Sequence, residues 1–421
     1  MEVFKFGGAS VKDPDGIKNL RAIVEMHRHK PLLLVISAMG KTTNALEKLT
    51  RSYLNQNPDT RQLFNNIKAY HFSILESLFE DKNSTAFDDV ENAFVEIDWI
   101  LEEDPPENHD FVYDQLVSIG ELVSTKIASA YLSYTGIEAK WLDARSYIHT
   151  DNSYGEGQVD WEKTETAIKN LLSGLTGTIG VTQGFIGGTS ENYTTTLGRE
   201  GSDYSAAIFA SCLKADSVTI WKDVPGVLNA DPKLFPGTVK YEELSYAEAL
   251  EMTYFGATVI HPKTIRPLKI NNIPLYVKPF MSPNETGTVI KADINPATLA
   301  PAIIVKSNQV LISLSTKDFS FITENHLSDI FGAFATTHTK VNMIQNSAIS
   351  FSGCLDYNEE RFEKLKQALQ NEYNIRFNTG LQLITIRHFK KRVIDDLTQG
   401  KTILMEQFSR NTAQLVLKQQ M

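Results

Sequence analysis

Three segments of the sequence place glycine beside charged residues, each directly after a predicted β-strand. They read KFGGAS at residues 5–10, TTTLGREGSD at 194–203 and WKDVPGVLNADP at 221–232. Glycine lets backbone N–H groups approach phosphate oxygens, and a neighbouring lysine or arginine adds positive charge. Taken singly, each segment also fits a tight turn, a helix start or an ordered surface loop. Together they predict one composite site for phosphate and carboxylate groups.

The side chains of these segments differ in what they can bind. The planar guanidinium of Arg199 suits two-point capture of a carboxylate. Ser202 is expected to cap the helix that follows, and the positive end of that helix then favours an anion. Asp203 has two interpretations, because an acidic residue in a first helical turn also offsets the helix dipole. The segment at 5–10 matches neither the GxxxxGK[ST] nor the GxGxxG phosphate loop.

Strands and helices alternate around these segments over the first 295 residues. Continuous apolar runs are typical of strands buried on both faces of a parallel sheet. The predicted strands are Val3–Phe6, Leu32–Ile36, Glu138–Leu142, Thr178–Thr182, Ser217–Trp221 and Ile273–Val277. This order predicts a three-layer αβα domain of the α/β class, with a largely parallel sheet, over residues 1–295. In such domains ligands bind outside the carboxyl ends of the strands.

The pattern changes near Asn295–Pro296. Beyond it we predict strands and helices at Ile303–Val305, Val310–Ser315, Asn325–Thr336 (helix), Val341–Ser352, Glu359–Asn371 (helix) and Leu381–Arg387. The order βαββαβ is typical of a small ferredoxin-like α+β domain. The sequence therefore predicts a second region over residues 300–421.

Composition excludes several classes of protein. A net charge of −10 argues against nucleic-acid binding, which needs clustered basic surface. The sequence has no run of about eighteen apolar residues, and its N-terminus has no apolar signal segment after a basic region. Cys212 and Cys354 stand in apolar surroundings and are expected to be buried, reduced thiols. We expect a cytoplasmic protein with no nucleic-acid or membrane partner.

Six motifs, in order and spacing, resemble those of the aspartokinases of the amino-acid kinase superfamily. They are KFGGAS, SIGE, QGFIG, TTTLGREGSD, WKDVPGVLNADP and FGATVIHP, and the resemblance covers nearly the whole chain. It implies the amino-acid kinase fold and transfer of the γ-phosphoryl of ATP to the side-chain carboxylate of aspartate. It also implies Mg²⁺ that is bound mainly through ATP, with no metal ligands of the protein's own. The product would enter lysine, threonine and methionine biosynthesis.

The resemblance also implies roles for individual residues. Those implied to be catalytic are Lys5 and Asp203. Those implied to bind aspartate are Ser37, Thr43, Glu121, Arg199 and Ser202. Those implied to border the nucleotide are Lys5, Phe6, Gly7, Gly8, Lys222, Asp223, Leu228, Lys233, Thr258 and Val259. The chemistry agrees, since an amino-acid ligand needs an anion for its ammonium and a cation for its carboxylate. The acceptor is already an anion, so no general base is needed, and His261 is expected to be structural.

Four positions depart from the family pattern. Glu200 replaces a glycine, Leu228 a tyrosine, Lys233 an arginine and Thr258 a lysine. Lysine keeps the charge of arginine but loses its planar fork. For the missing lysine at Thr258, either the site has one cation fewer or Lys222 or Lys263 supplies it.

The segment after residue 300 resembles the paired ACT domains of aspartokinases, which bind amino-acid effectors between subunits. We expect a homodimer through this region, in which its strands join those of the partner chain, and an amino-acid effector is a candidate ligand. The second ACT domain looks abbreviated: a short helix, a strand and about ten residues follow Leu381–Arg387, without the usual closing helix. In lysine-sensitive relatives, carboxylates that meet the effector occupy the positions of Asn342 and Ala348, and a Gly-Phe pair occupies that of Asn325–His326.

Two alternatives to an aspartate kinase stay open. One is another kinase of the same fold acting on acetylglutamate, glutamate or UMP, although those enzymes lack the helical insertion between Thr43 and Tyr134. The other is a catalytically inactive amino-acid sensor, which the presence of Lys5, Arg199 and Asp203 argues against. The identity of the effector and the choice between dimer and tetramer also stay open.

Overall fold

The computed structural model describes residues 1–171, 175, 177–257, 260–294 and 299–419. The chain divides into two compact units. The first comprises Met1–Val227, Lys240–Leu250 and Val259–Ile294, and the second comprises Leu228–Val239, Glu251–Thr258 and Asn295–Met421. The change of pattern predicted near Asn295–Pro296 lies outside the described residues, and the domain boundary near residue 300 stays a prediction.

The first unit is built on an eight-stranded sheet in the order β3-β4-β2-β1-β7-β9-β10-β8, beside a small β5–β6 hairpin. Pairing of β9 with β10 is antiparallel, and the other pairings in the large sheet are parallel. The strands are β1 (Glu2–Phe6), β2 (Leu32–Ile36), β3 (Ala139–Leu142), β4 (Ile179–Gln183), β5 (Ile186–Gly188), β6 (Thr194–Thr196), β7 (Ser217–Lys222), β8 (Glu243–Ser245), β9 (Leu275–Pro279) and β10 (Thr288–Lys291). The predicted α/β class and largely parallel sheet are confirmed.

Helices cover both faces of this sheet. Phe4 and Phe6 pack in a core cluster with residues of α1, α3, α4 and α6, while Val3 and Val35 on the other face are also fully buried. The helices are α1 (Pro14–His27), α2 (Thr42–Leu54), α3 (Thr60–Leu78), α4 (Thr85–Glu102), α5 (His109–Val117), α6 (Ile119–Tyr134), α7 (Trp161–Leu171), α8 (Gly201–Leu213), α9 (Tyr246–Phe255) and α10 (Pro262–Ile270), with a short 3₁₀ turn at Ala144–Ser146. These helices form the two outer layers, and apolar residues at helical spacing pack them against the sheet.

The register of the central strands brings two of the predicted segments, and the residue that follows β2, to one edge. Phe6 is opposite Ile36 on one side and Trp221 on the other. Because the three strands are parallel, Lys5, Ser37 and Lys222 all lie at their carboxyl ends. The sheet thus places residues more than two hundred positions apart at one edge.

The second unit contains a six-stranded sheet in the order β12-β13-β11-β14-β16-β15. Neighbouring strands in it are antiparallel. Its elements are β11 (Ala302–Thr316), α11 (Glu324–Thr336), β12 (Val341–Asn346), β13 (Ser350–Asp356), α12 (Glu359–Leu369), β14 (Tyr373–Arg387), α13 (Lys391–Thr398), β15 (Lys401–Phe408) and β16 (Thr412–Gln419). The α+β, ACT-like character of this region is confirmed.

Three predictions for this unit were wrong in detail. The two strands predicted within 303–315 form one strand, β11, whose register with β14 shifts between Lys306 and Gln309. The strand predicted at Val341–Ser352 is the hairpin β12–β13, because the polar run around Ser347 makes a turn. After β14 we predicted a short helix, one strand and about ten further residues. Those last residues form another strand, β16, whose apolar Leu415–Leu417 run is buried. None of the described helices is long and apolar enough to cross a membrane.

Candidate active site

A buried carboxylate lies between two lysines at the carboxyl edge of the large sheet. The Asp203 Oδ1 atom is 2.7 Å from Lys5 Nζ, and Asp203 Oδ2 is 3.4 Å from Lys222 Nζ. Asp203 is 3% exposed and Lys5 7%. Burial alone would raise the pKa of the Asp203 carboxyl, but the charges of Lys5 and Lys222 outweigh it and hold that pKa below its ordinary value. Two lysine side chains therefore share one buried carboxylate.

The start of α8 sets the position of Asp203. The helix begins at Gly201, and its N-cap is Glu200, so the prediction that Ser202 caps the helix was wrong. Gly201 is required there, because a Cβ atom would lie 2.7 Å from the ring of Phe185. Glu200 has φ of 53°, in the left-handed region that favours the glycine of many relatives. Asp203 lies in the first helical turn, as predicted, and its carboxylate contacts both lysines.

The glycine turn after β1 lies against the loop after β2. A Cβ on Gly8 would be 2.5 Å from the carbonyl oxygen of Ala38, and the Gly8 carbonyl accepts a hydrogen bond from Gly40 N at 2.9 Å. The close approach leaves room only for glycine at residue 8. The ring of Phe6 is fully buried and stacks on Trp221, so Phe6 can face a ligand only through its backbone.

A cleft of about 600 Å³ opens beside this turn. Five residues predicted from the sequence to bind aspartate share it. They are Ser37, Thr43, Glu121, Arg199 and Ser202. Its other lining residues are Gly8, Ala38, Gly40, Glu47, Asp110, Tyr113, Gly155, Phe185, Gly198, Glu200 and Gly201. The structure thus brings these five together, although they come from the loop after β2, from α2, from α6, from the loop before α8 and from the first turn of α8.

Glu121 is the buried carboxyl group of the cleft. It is 3% exposed, and its Oε2 atom has no hydrogen-bond partner among the described residues. Burial raises the pKa of Glu121 to about 8, although a hydrogen bond from the Ala38 backbone and the charge of Lys5 act in the opposite direction. An unpaired buried carboxylate is costly, and a bound ammonium group would relieve that cost.

Arg199 is the cation of the same cleft. Its side chain is exposed, and within the described part of the chain it makes no ion pair or hydrogen bond. It is therefore available to a ligand carboxylate. Arg199 and the ionised form of Glu121 match the two charged groups of an amino acid.

The other predicted residues are placed as follows. Leu228 and Lys233 belong to the second unit, and Thr258 and Val259 lie outside the described residues. Asp223 is exposed in the loop after β7. Two further candidates have structural contacts. Lys263 forms an ion pair with Glu156, and His261 accepts a hydrogen bond from Lys263 N as the N-cap of α10, as expected for a structural histidine.

Comparisons with known proteins agree on one family. A model of the amino acid kinase family matches residues 1–279. Lysine-sensitive aspartokinase 3 of Escherichia coli (strain K12) is 33% identical over 356 residues, which is 84% of this chain and 78% of that protein. The chain belongs to the aspartokinase family.

Other aspartokinases differ in length or in bound ligand. A chloroplastic bifunctional aspartokinase/homoserine dehydrogenase 2 of Arabidopsis thaliana is 30% identical over 90% of this chain, which spans only 42% of that relative. The crystal structure of E. coli aspartokinase III with aspartate and ADP matches with a TM-score of 0.84 at 28% identity, covering 99% of this chain and 96% of that one. Its complex with lysine and aspartate matches with a TM-score of 0.82. The chain is thus a kinase with the aspartokinase fold.

Sequence reasoning missed the residues that support this aspartokinase cleft from behind. Asp114 is fully buried and accepts hydrogen bonds from Gly155 N at 2.9 Å and from Thr196 N at 3.0 Å. Tyr113 donates to Glu47 Oε1 at 3.1 Å, and both residues line the cleft. The polar residues Tyr113 and Asp114, about one helical turn before the SIGE motif, could have indicated that α5 contributes to the site. Nothing in the sequence pairs α5 with α2, because that contact is made only in the folded chain.

The residues present fit a nucleoside triphosphate next to the cleft. Lys5 and Lys222 supply positive charge, and the N-terminus of α8 adds its dipole beside the glycine turn. Among the described residues no group of three or more His, Cys, Asp or Glu side chains could hold a metal ion. A Mg²⁺ ion that arrives with the phosphates requires no such group.

Proposed function

We propose that this chain transfers the γ-phosphoryl group of ATP to the side-chain carboxylate of L-aspartate, giving ADP and 4-phospho-L-aspartate. The observation that carries the proposal is one cleft that contains an unpaired buried carboxylate, Glu121, and an exposed guanidinium, Arg199. The Lys5–Asp203–Lys222 cluster supplies positive charge near it. An amino acid with a second carboxylate fits these three features together.

The residues act by position and charge. Glu121 binds the substrate ammonium, and Arg199 binds a carboxylate, so the acceptor oxygen is oriented towards the phosphates. Lys5 and Lys222 stabilise negative charge on the transferring group, and Asp203 holds both ammonium groups in place. Mg²⁺, bound through ATP, supplies further positive charge. The acceptor is already ionised, so no residue has to remove a proton from it.

A panel of acceptors tests the proposal. ADP release is measured with ATP and Mg²⁺ and one acceptor at a time, namely L-aspartate, L-glutamate, N-acetyl-L-glutamate or UMP. We expect kcat/KM for aspartate to exceed the others by at least about a hundredfold, since unpaired polar groups in a site reject analogues strongly. Faster turnover of another acceptor would show that the chain is a kinase of that acceptor and not of aspartate. An absence of turnover with all four would favour the inactive amino-acid sensor.

Aspartate binding should release a proton below pH 8. The free carboxyl of Glu121, with its pKa raised to about 8, is mostly protonated at pH 7, whereas the ammonium-bound form has to be ionised. The KM for aspartate should therefore fall by on the order of tenfold per pH unit as pH rises towards 8, then level off. Glu121→Gln should raise that KM and remove its pH dependence. The same slope in wild type and variant would show that Glu121 does not meet the ammonium.

Arg199→Lys should raise the KM for aspartate more than it lowers kcat. The lysine keeps the charge, but a point charge replaces a two-point fork, and such charge-assisted bonds are worth about 1.5–3 kcal/mol. Arg28→Lys, an exposed arginine at the end of α1, is the matched control. Equal KM values for aspartate in wild type and Arg199→Lys would place the carboxylate elsewhere.

We infer that residues 1–295 form the catalytic domain and residues 300–421 an ACT region that makes a homodimer. Strand β12 is an edge of the six-stranded sheet and exposes Ile344, which supports pairing with a partner chain there. A cytoplasmic location fits a substrate such as ATP. The reaction would be the first step of lysine, threonine and methionine biosynthesis. An amino-acid effector would bind in the ACT region.

Inhibition by lysine should be weak or absent. At the position where lysine-sensitive relatives have a carboxylate, Asn342 bonds instead to Gln309 at 2.8 Å, Asp356 at 2.7 Å and Lys306 at 2.7 Å. His326 is similarly engaged, in a capping box with Thr323. Two lost charge-assisted bonds weaken binding by on the order of a hundredfold or more. A lysine titration of activity checks this, and half-inhibition below about 1 mM would contradict it.

A further inference from the structure

A fully buried histidine lies behind the cleft. His71, in α3, is 0% exposed and packs edge-on against Tyr70 and Phe94, at ring distances of 4.9 and 5.6 Å. Its Nδ1 atom is 2.8 Å from the Ile67 carbonyl oxygen, and its Nε2 is 3.2 Å from Thr42 Oγ1. Burial lowers the pKa of His71 to about 4, so the ring is neutral at pH 7. With no exposed surface, His71 cannot touch a substrate.

The hydrogen bonds define the tautomer of the ring. A carbonyl oxygen only accepts, so the proton lies on Nδ1 and points to Ile67. Nε2 then presents a lone pair to the hydroxyl of Thr42. The same hydroxyl donates to the carbonyl oxygen of Met39 at 2.6 Å, so its single proton is shared between that oxygen and Nε2 in a three-centre hydrogen bond, with the shorter contact to Met39. Thr42 therefore links the ring of His71 to the loop that precedes α2.

That loop forms one wall of the cleft. Ser37, Ala38 and Gly40 line it, as does Thr43, the neighbour of Thr42. The backbone of Ala38 also donates a hydrogen bond to the Glu121 carboxylate. A shift of the loop would thus move two residues predicted to bind aspartate and the group that orients Glu121. The loop meets the phosphate side through hydrogen bonds from Ser37 N to the Phe6 carbonyl oxygen at 3.0 Å and from Gly40 N to the Gly8 carbonyl oxygen at 2.9 Å.

We propose that His71 is a positioning residue for aspartate, acting through Thr42 on the loop at residues 37–43; this inference rests on the proposed function. The pair fixes the start of α2 against α3, so that the aspartate wall of the cleft is formed before substrate binds. Its effect falls on the acceptor and not on the nucleotide, because Lys5 and Lys222 are held by Asp203 on the strand side of the site.

The test uses two variants, one that removes the ring nitrogens of His71 and one that removes the hydroxyl of Thr42. His71→Phe keeps a ring but removes both nitrogens, and Thr42→Val keeps the shape but removes the hydroxyl. Each should raise the KM for aspartate by on the order of tenfold, with the KM for ATP changed less than about twofold. The double variant should resemble Thr42→Val, because removal of the hydroxyl already breaks the link to His71 as well as the bond to Met39. Thr42→Ser, which keeps the hydroxyl, should restore the wild-type value to within about threefold.

Thr164→Val is the matched structural control. Thr164 is also fully buried, and its hydroxyl accepts a hydrogen bond from His149 N at 3.0 Å, outside the cleft. It should lower the melting temperature without changing the KM for aspartate. The same pattern in Thr42→Val and His71→Phe would overturn the proposal. If His71→Phe does not fold, Thr42→Val decides alone. A wild-type enzyme with no aspartate-dependent turnover would instead overturn the proposed function and this inference with it.

Discussion

Replacing Lys5 by alanine should lower kcat by on the order of a hundredfold or more while the fold is retained. Its ammonium group is almost fully buried at the carboxyl end of β1 and is held at 2.7 Å from Asp203. A preorganised charge that faces the transferring group is typically worth about 3 kcal/mol in the transition state. The KM for aspartate should change little, because the ammonium and carboxylate partners of the substrate remain. Steady-state kinetics on the purified variant measure both constants.

Lys30→Ala is the control for this prediction. Lys30 is an exposed lysine of the same unit, paired with Glu2 at 2.8 Å, and exposed ion pairs contribute little. Its kcat should equal that of the wild type. If Lys5→Ala also turns over at a near-normal rate, Lys5 does not contact the transferring phosphoryl group and the site has been assigned wrongly.

Loss of Asp203 should be as damaging to turnover, for a different reason. The carboxylate meets both Lys5 and Lys222, so its removal leaves two like charges facing each other in a buried site. In Asp203→Ala the two lysines are expected to separate, and kcat should fall by on the order of a hundredfold or more. Breaking a buried pair also costs about 3–5 kcal/mol of stability, so Asp203→Asn, which keeps the volume, accompanies it. Circular dichroism and thermal melts separate the two effects.

Asp216→Ala serves as the comparison. Asp216 is exposed and bonds to the N-terminal amine at 2.7 Å, and the same exchange there should leave kcat unchanged. A folded Asp203→Asn variant with wild-type kcat would mean that the carboxylate only offsets the dipole of α8. That was the second interpretation available from the sequence.

The large sheet was predictable because its strands are signalled locally. Runs such as Leu32–Ile36 are apolar without interruption, and the structure has β2 at that range. The hairpin β5–β6 was missed because Ile186–Gly188 is short and rich in glycine, so it is stabilised by its pairing and not by propensity. In the second unit, β11 bridges two predicted strands because register shifts near Lys306 absorb the polar residues between them.

The chemistry of the site was only partly predictable. Residue types in the three glycine segments indicated Lys5, Arg199 and Asp203. The sequence did not indicate that Glu121 would be unpaired and its pKa raised, because that follows from packing of α6 against the loop after β2. The link from His71 to that loop had no sequence signal, since it joins helices that meet only in the folded chain. Burial and distant contacts decide what each side chain can do.

The most direct test of the central claim is identification of the phosphorylated product. Acyl phosphates react with hydroxylamine to give hydroxamates, so the reaction is run with ATP, Mg²⁺, L-aspartate and hydroxylamine, and both ADP and hydroxamate are quantified. We predict one aspartyl hydroxamate, formed at the side-chain carboxylate, for each ADP released, and neither product when aspartate is omitted. ADP release that is independent of aspartate, or that yields no hydroxamate, would contradict phosphoryl transfer to the aspartate carboxylate.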